Sequence, residues 1–303
     1  MLIDSPLVSV IIPTYGRPEK LARAIESLLV QTYKNIEIII VDDNPPDSAN
    51  RLETEKKIAE FLHIESVRYL KRAVNGGGSL ARNTGIDAAK GMFVTFLDDD
   101  DIYLPQKVER QVNHIISKNI DVSVCDMQFS ENDKIIETQV SYAEVGDLAN
   151  FLTRGNTFTP MILCKKECLR LVNGFHDTPK FQDHLLMIKL LRYDFKVEIL
   201  REKLFIHNNH QEERITLTSR FCDGYKEKIK FEIENKDYLS RHQNKIVSFR
   251  REMVMSRIIT HEKGVLFGMK HWVSALFYIT TARQVKIILK TLLRNIVKPH
   301  RRF

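Results

Sequence analysis

Residues 92–101 read MFVTFLDDDD, an apolar and β-branched run followed at once by four aspartates. The run predicts a buried strand, and the aspartates mark the point where that strand ends. Four adjacent carboxylates repel one another and stay ionised together only when water or a cation compensates them. The stretch is therefore either a solvated acidic turn or an oxygen-lined site for Mg²⁺ or Mn²⁺. Its position after a hydrophobic strand favours the cation site.

Similar strands are predicted on either side of this one, with helices between them. The runs at 8–12 and 36–41 are rich in Val and Ile, and the second run ends at Asp42-Asp43. Pro18, Ser79 and Pro105 each mark the start of a predicted helix. This alternation predicts an α/β fold with a doubly wound, mostly parallel sheet flanked by helices. Ligands in such sheets bind beyond the carboxyl ends of strands, where both acidic groups fall.

The second half of the chain is less regular. A hairpin is predicted from 122–129 and 134–138, further strands at 160–164 and 197–200, and a helix at 183–193. After residue 219 the pattern is helical, first polar and then basic. Together with the first half, this predicts a helical extension at the C-terminus.

Composition and charge exclude several classes of protein. The 303 residues are 43% hydrophobic and 28% charged, which is ordinary for a globular protein. The net charge of the chain is +7, but nine Lys or Arg and no Asp or Glu lie from Lys263 onward. The body of the chain, residues 1–262, therefore has a net charge of −2. The body is therefore not a general polyanion binder. The C-x₃-C spacing of Cys164 and Cys168 fits either a zinc site or, more simply, reduced thiols, because no second pair follows.

Several motifs, taken in order, resemble those of family 2 glycosyltransferases with the GT-A fold. They cover roughly residues 7–218, and any one of them alone would be weak. Other signatures are missing: no P-loop, dinucleotide-binding, zinc-protease or serine-hydrolase motif occurs. The motifs are VSVIIPTY at 8–15, LLVQTY at 28–33, EIIIVDDN at 37–44, NGGGSLARNTGI at 75–86, FLDDDD at 96–101, NGF at 173–175 and FQD at 181–183.

The resemblance implies an inverting, metal-dependent transferase of the hexosyltransferase type. Its donor would be a nucleotide diphosphate sugar, with a UDP-sugar expected, and its cofactor Mn²⁺ or Mg²⁺. Residues 1–218 would form the GT-A catalytic domain, with a nucleotide-sugar half at 1–125 and an acceptor half at 126–218; residues 219–303 would form the helical basic extension. The donor-binding residues would be Pro13, Thr14, Tyr15, Asp43, Arg82, Asp98, Asp99 and Arg214.

The same resemblance assigns roles around the reacting atoms. Asp100 would contact the metal, and so would His210, with His207 as the second choice. Asp183 matches the general base that takes the proton of the acceptor hydroxyl. The alternative for Asp183 is a simple N-cap of the helix at 183–193.

The basic tail suggests a partner of its own. In 283–298, Arg283, Lys286 and Lys290 recur at helical spacing opposite apolar residues, which is typical of helices that lie on membranes. Trp272, Phe277 and Tyr278 would then lie at the headgroup level. The alternative is a helix docked on the body with its basic face in water, and RNA binding is a weaker third option.

These features predict a cytoplasmic enzyme that could also attach to the inner face of the cell membrane, since no secretory signal begins the sequence. The expected acceptor is a glycan or a lipid-linked sugar in surface polysaccharide or glycolipid assembly; nucleic acid is not an expected partner. Two other functions stay open. One is a nucleotidyltransferase on a similar sheet, and the other is a catalytically silent module that binds sugar nucleotides or glycans.

Overall fold

The computed structural model describes residues 5–131, 134–138, 140–209 and 219–297. Two predicted site residues, His210 and Arg214, lie outside these ranges, as does the end of the predicted extension from 298. The described residues form two compact units. The first holds the residues up to Gly146 and those from Gly155 through the last strand. The second holds Asp147–Arg154 together with 219–297.

The first unit is built on one curled sheet, which has nine strands within the described ranges. The strands are β1 (Val8–Thr14), β2 (Ile36–Asp42), β3 (Val67–Lys71), β4 (Phe93–Phe96), β5 (Ile102–Tyr103), β6 (Val122–Glu131), β7 (Lys134–Ile136), β8 (Ile162–Lys165) and β9 (Val197–Asn209). Their order in the sheet is β3-β2-β1-β4-β8-β6-β9-β5, and β7 pairs with β6.

Helices flank this sheet and make up most of the second unit. In the first unit they are α1 (Pro18–Leu29), α2 (Ala49–Ile58), α3 (Gly77–Ala88), α4 (Lys107–Lys118), α6 (Lys166–Leu171) and α7 (Gln182–Arg192). In the second they are α5 (Leu148–Arg154), α8 (Ser219–Glu234), α9 (Arg241–Lys263), α10 (Val265–Leu276) and α11 (Ala282–Val297). The predicted α/β fold with flanking helices and a helical C-terminal extension is confirmed.

The parallel part of the sheet brings the predicted acidic groups to one edge. Strands β1, β2, β3 and β4 are mutually parallel, with Ile11 of β1 in register with Ile39 and Phe96. The carboxyl ends of β1, β2 and β4 therefore lie side by side. Beyond β4 the sheet becomes mixed, because β8 runs antiparallel between β4 and β6. The predicted hairpin is present as β6 and β7.

Helix α3 lies very close to β1. A Cβ atom on Gly85 would be 2.4 Å from Cγ2 of Ile11, so only glycine permits this approach. The helix begins at Gly77 and not at the predicted cap Ser79, whose hydroxyl donates to the C=O of Thr178 instead. Close packing of α3 fixes the side chains that its first turns carry toward the sheet edge.

A buried polar cluster lies beneath the end of β4. The amine of Lys107 is fully buried and donates to the hydroxyls of Thr95 at 2.5 Å and Tyr103 at 2.7 Å. The Tyr103 hydroxyl in turn donates to the C=O of Phe96 at 2.6 Å. Burial lowers the pKa of Lys107 to about 7. The cluster ties β5 and α4 to the strand that precedes the four aspartates.

In the second unit, α9, α10 and α11 share an apolar cluster. Phe249 and Met253 of α9 pack with Trp272 of α10 and Ile288 of α11. The expectation that Trp272 lies at a membrane surface is wrong, because its side chain is only 3% exposed. Ile288 of α11 is likewise buried in this cluster, at 4% exposure. None of the helices among the described residues is long and apolar enough to cross a bilayer.

Candidate active site

The four aspartates Asp98–Asp101, called the acid turn below, present their carboxylates in two directions. The N–H of Asp101 closes the turn by donating to the C=O of Asp98 at 3.0 Å. The side chains of Asp99 and Asp101 are buried, whereas those of Asp98 and Asp100 remain partly exposed. Two carboxylates therefore hold the turn in place, and two are accessible to a ligand.

The end of β1 joins the acid turn to β2. The hydroxyl of Thr14 donates to Asp99 at 2.9 Å, and the N–H of Tyr15 donates to the same oxygen at 3.3 Å. The C=O of Thr14 accepts from the N–H of Asp43 at 3.0 Å. Pro13 pairs with β2 just before this point. Burial and the charge of Asp100 raise the pKa of Asp99 to about 7.

The Tyr15 side chain is 53% exposed at this edge, so its ring is free to meet a flat ligand. Thr14 is hydrogen-bonded both to Asp43 and to Asp99, so it links these two residues. The structure therefore brings these predicted donor-binding residues together. Their contact with a nucleotide remains a prediction.

Arg17 lies directly on the acid turn. Its Nη1 contacts Asp100 at 2.5 Å and Asp99 at 3.3 Å, while its side chain is 49% exposed. The turn before it is fixed by Gly16, with φ at +72°, whose N–H donates to the side chain of Asn44. Sequence reasoning did not single out Arg17, because nothing local links it to carboxylates so far along the chain. An exposed arginine can move away when another cation arrives.

The carboxylate of Asp43 is buried and fully engaged. It accepts hydrogen bonds from Arg72 at 2.5 Å, from the Asn75 amide at 3.1 Å and from the N–H of Gly77 at 2.6 Å. Gly77 opens α3, so the charge also benefits from the helix dipole. Asp43 thereby anchors the glycine-rich loop at the sheet edge. If Asp43 bound an N–H group of a nucleobase, that group would have to share Asp43 with Arg72, Asn75 and Gly77 or replace one of them.

Arg82 connects the acid turn with the start of α7. Its two Nη atoms donate at 2.5 Å to Asp98 and to the side chain of Gln182. Its guanidinium also lies over the ring of Phe175, 5.6 Å from the centroid. A Cβ on Gly78 would be 2.8 Å from the guanidinium, so the glycine leaves room for it. Arg82, one of the predicted donor-binding residues, is thus buried at the edge where the acidic groups meet.

Asp183 is the second residue of α7 and is only partly exposed. The residue that caps this helix is Phe181, with φ at +64°, and its side chain makes no capping hydrogen bond. One oxygen of Asp183 accepts from the N–H of His184 at 2.8 Å. Burial raises the pKa of Asp183 to about 6, although Arg82 lowers it. A carboxylate with such a pKa can accept a proton near neutral pH.

His207, the second choice for the closing segment, contacts the acid turn. Its Nδ1 lies 3.1 Å from both oxygens of Asp101, and the N–H of Asn208 donates to Asp101 at 3.0 Å. Burial disfavours the charged imidazole, but Asp101 raises the pKa of His207 to about 9. The end of β9 is thus held to the acid turn. The preferred residues of this segment, His210 and Arg214, lie outside the described ranges.

Three cationic side chains, Arg17, Arg82 and His207, therefore offset the acid turn without a metal. The described residues contain no group of three or more His, Cys, Asp or Glu arranged to hold a metal ion. Asp98 and Asp100 nonetheless supply partly exposed oxygen ligands. Mg²⁺ commonly uses one or two carboxylates and completes its shell with phosphate oxygens and water. The carboxylates of Asp98 and Asp100 therefore fit such an ion when a diphosphate is bound.

Comparison with known proteins identifies the family. The family model described as glycosyl transferase family 2 matches residues 9–169, which include the acid turn, Asp43 and Arg82. The chain belongs to glycosyltransferase family 2. It is therefore a glycosyltransferase enzyme, and the nucleotidyltransferase and silent-module alternatives are set aside.

Two sequence relatives of this glycosyltransferase are informative. One is an uncharacterized glycosyltransferase of Methanocaldococcus jannaschii, 30% identical over 210 residues that cover 67% of this chain and 70% of the relative. The other is the Escherichia coli enzyme WfgD, named a UDP-Glc:α-D-GlcNAc-diphosphoundecaprenol β-1,3-glucosyltransferase. It is 33% identical over 134 residues, which cover 44% of this chain and 51% of WfgD.

Among solved structures, the glycosyltransferase resembles S. aureus TarS. The complex of TarS residues 1–349 with UDP-GlcNAc has a TM-score of 0.64 and 20% sequence identity, and the match covers 89% of this chain and 79% of that TarS chain. TarS has also been solved with UDP, with a TM-score of 0.65. At this level of identity the similarity establishes the GT-A fold.

Proposed function

We propose that the chain is an inverting glycosyltransferase that moves a sugar from a UDP-sugar to an acceptor hydroxyl. The observation that carries this proposal is the Arg82 bridge. It joins the acid turn, which suits a diphosphate with its cation, to the helix turn that bears Asp183. A leaving diphosphate and a carboxylate base can thus serve one reaction centre.

The proposed donor rests on the residues at the ends of β1 and β2 and on the solved and named relatives. Tyr15 offers an exposed ring next to Thr14 and Asp43, which are buried and hydrogen-bonded to each other. TarS binds UDP and UDP-GlcNAc, and the name of WfgD specifies UDP-glucose as donor. These facts concern those proteins and support a uridine nucleotide here.

We propose that Asp100 holds a Mg²⁺ or Mn²⁺ ion together with the donor diphosphate. Such an ion supplies Lewis-acid stabilisation of the charge that develops on the leaving group. The buried Arg82 adds fixed positive charge to the same region, which stabilises negative charge without any proton transfer. Asp98 and Asp99 would lie nearer the ribose and the donor sugar.

In the proposed reaction, Asp183 takes the proton of the acceptor hydroxyl as its oxygen attacks the anomeric carbon. The bond from that carbon to the diphosphate breaks, and the nucleoside diphosphate leaves with the electron pair. A single displacement of this kind inverts the anomeric configuration. The half-buried carboxylate and its raised pKa suit Asp183 for this step.

For the acceptor, we propose a lipid-linked sugar in the assembly of a surface polysaccharide or glycolipid. The support comes from WfgD, whose named acceptor is a sugar on diphosphoundecaprenol. Such an acceptor would place the enzyme at the inner face of the cell membrane.

A donor screen tests the proposal. Each of a panel of UDP-, GDP- and dTDP-sugars is incubated with the protein, Mn²⁺ or Mg²⁺ and a GlcNAc-diphospholipid, and free nucleoside diphosphate is measured. We expect UDP release with one UDP-sugar, loss of release with a chelator, and an inverted anomeric centre in the product. A donor other than a UDP-sugar, full activity in the chelator, or retention would each refute the corresponding part.

A further inference from the structure

Helix α10 is apolar on two opposite sides, which distinguishes it from an ordinary surface helix. Its inner side is accounted for: Trp272 and Ala275 belong to the apolar cluster with α9 and α11. Gly268 lies so close to α9 that a Cβ there would be 2.7 Å from the C=O of Ser256. The inner side is therefore closely packed, and the outer side needs another explanation.

The outer face of α10, taken here to include the C-cap residue Phe277, consists of large apolar side chains that point away from this cluster. Leu266, Val273 and Phe277 recur at i, i+7 and i+11, with Leu266 82% and Phe277 77% exposed. Met269 and Leu276 lie beside them and are also exposed. Single exposed hydrophobic residues are normal, but a continuous apolar face marks a contact with a protein, a ligand or a membrane.

The charges around this face select among those partners. Lys263, Lys270, Arg283, Lys286 and Lys290 are exposed, and no acidic residue occurs from Lys263 to the end of the sequence. A second copy of the chain would bring the same positive charges together. An anionic lipid surface complements both the charge and the apolar face, as in helices that lie in the membrane interface.

We propose that the outer face of α10 enters the headgroup region of a bilayer containing anionic lipid, while the basic residues of α10 and α11 contact lipid phosphates. The inserting side chains are those of α10, above all Leu266 and Phe277, and not the inward-facing Trp272 and Ile288. The inference rests on the proposed function only for its purpose, which is to bring the enzyme to a lipid-linked acceptor.

Vesicle flotation of the full-length chain tests this binding without any activity measurement. The vesicles contain phosphatidylcholine alone or with phosphatidylglycerol. We expect flotation with the anionic vesicles and at least about a tenfold weaker partition for the double variant Leu266→Gln/Phe277→Gln. The control, Leu52→Gln/Leu62→Gln, changes two apolar residues of the first unit that are more than half exposed, and it should float like the wild type.

A charge variant separates the electrostatic contribution to vesicle binding from the contribution of the apolar side chains. Lys286→Gln/Lys290→Gln should reduce binding to anionic vesicles, and added salt should weaken wild-type binding in the same way. The proposal is overturned if the wild type does not float, or if the Leu266/Phe277 double variant floats equally well. It is also overturned if light scattering shows a dimer that this double variant converts to a monomer, since the face would then bind a second copy.

The outcome is distinguishable from failure of the proposed function. UDP release in the absence of vesicles, with a water-soluble acceptor analogue, should be the same for the wild type and the Leu266/Phe277 double variant. If flotation behaves as expected but no UDP-sugar is turned over, only the proposed function fails.

Discussion

The substitution Asp183→Asn removes the proposed base with the least change in shape. The amide oxygen of Asn can still accept from the N–H of His184, so the start of α7 should keep its geometry. The amide cannot take a proton from the acceptor. Since a positioned general base contributes about 10²–10⁴-fold to a rate, we expect kcat to fall by that factor, or about 3–5 kcal/mol in barrier height.

The pH dependence of kcat gives a second, independent test of the role of Asp183. A base works in its ionised form, and burial raises the pKa of Asp183 to about 6. At that pKa about nine-tenths of the carboxylate is ionised near pH 7, but only about one-tenth near pH 5. The kcat of the wild type should therefore fall about tenfold over this interval, at a higher pH than an ordinary aspartate would predict.

The assay is steady-state UDP release at saturating donor with Mn²⁺, together with the donor Kd from calorimetry. Saturation matters because Asp99, a proposed donor-binding residue with a pKa of about 7, is expected to affect the donor Kd and not kcat. Asp177→Asn, an exposed aspartate of the preceding loop, is the control. An Asp183→Asn protein that keeps more than about a tenth of kcat, or whose residual activity shows the same acidic limb, would refute the assignment.

Three other substitutions follow from the geometry. Arg17→Ala should tighten Mn²⁺ binding to the acid turn about fivefold by calorimetry, since a competing, half-exposed cation worth about 1 kcal/mol is removed; weaker binding would contradict this. Gly85→Ala forces a Cβ to within 2.4 Å of Ile11 and should lower the free energy of unfolding by about 1–3 kcal/mol, whereas the exposed Asp87→Ala on the same helix should change it little. Lys107→Met should stabilise the protein near pH 7 in urea titrations. Its advantage should shrink toward about pH 9, because the lowered pKa of the buried amine makes the folded wild type bind fewer protons than the unfolded chain; a constant advantage would exclude a titrating lysine.

The strands and helices of the first half could be predicted because their signals are local. Alternation of β-branched runs with helical spacing predicts β1, α1 and β2 directly, and the aspartates after β2 and β4 follow from reading where each run ends. The antiparallel insertion of β8 between β4 and β6 could not be predicted in this way. The order of strands depends on which apolar faces fit together. The alternation of side chains along one strand does not identify the strand that lies next to it in the sheet.

The candidate site shows the same division. Asp43, Arg82, the acid turn and Asp183 are recognisable from motifs, but their partners are not. Arg17 lies 83 residues from Asp100 in the sequence, and no motif around either residue predicts their contact. Trp272 illustrates the opposite error. As an aromatic residue near a basic helix it is expected at a membrane surface, but the sequence does not show that its side chain packs against α9.

By itself, then, the amino-acid sequence determined the alternation of strands and helices in the first half, the chemistry of the strand ends and the family. The tertiary structure alone decided which cation meets which carboxylate, how completely Asp43 is engaged, and that α10 has an apolar face left over. The physical reason is that periodicity and capping act over a few residues, whereas hydrogen bonding and burial depend on distances through space between residues far apart in the chain.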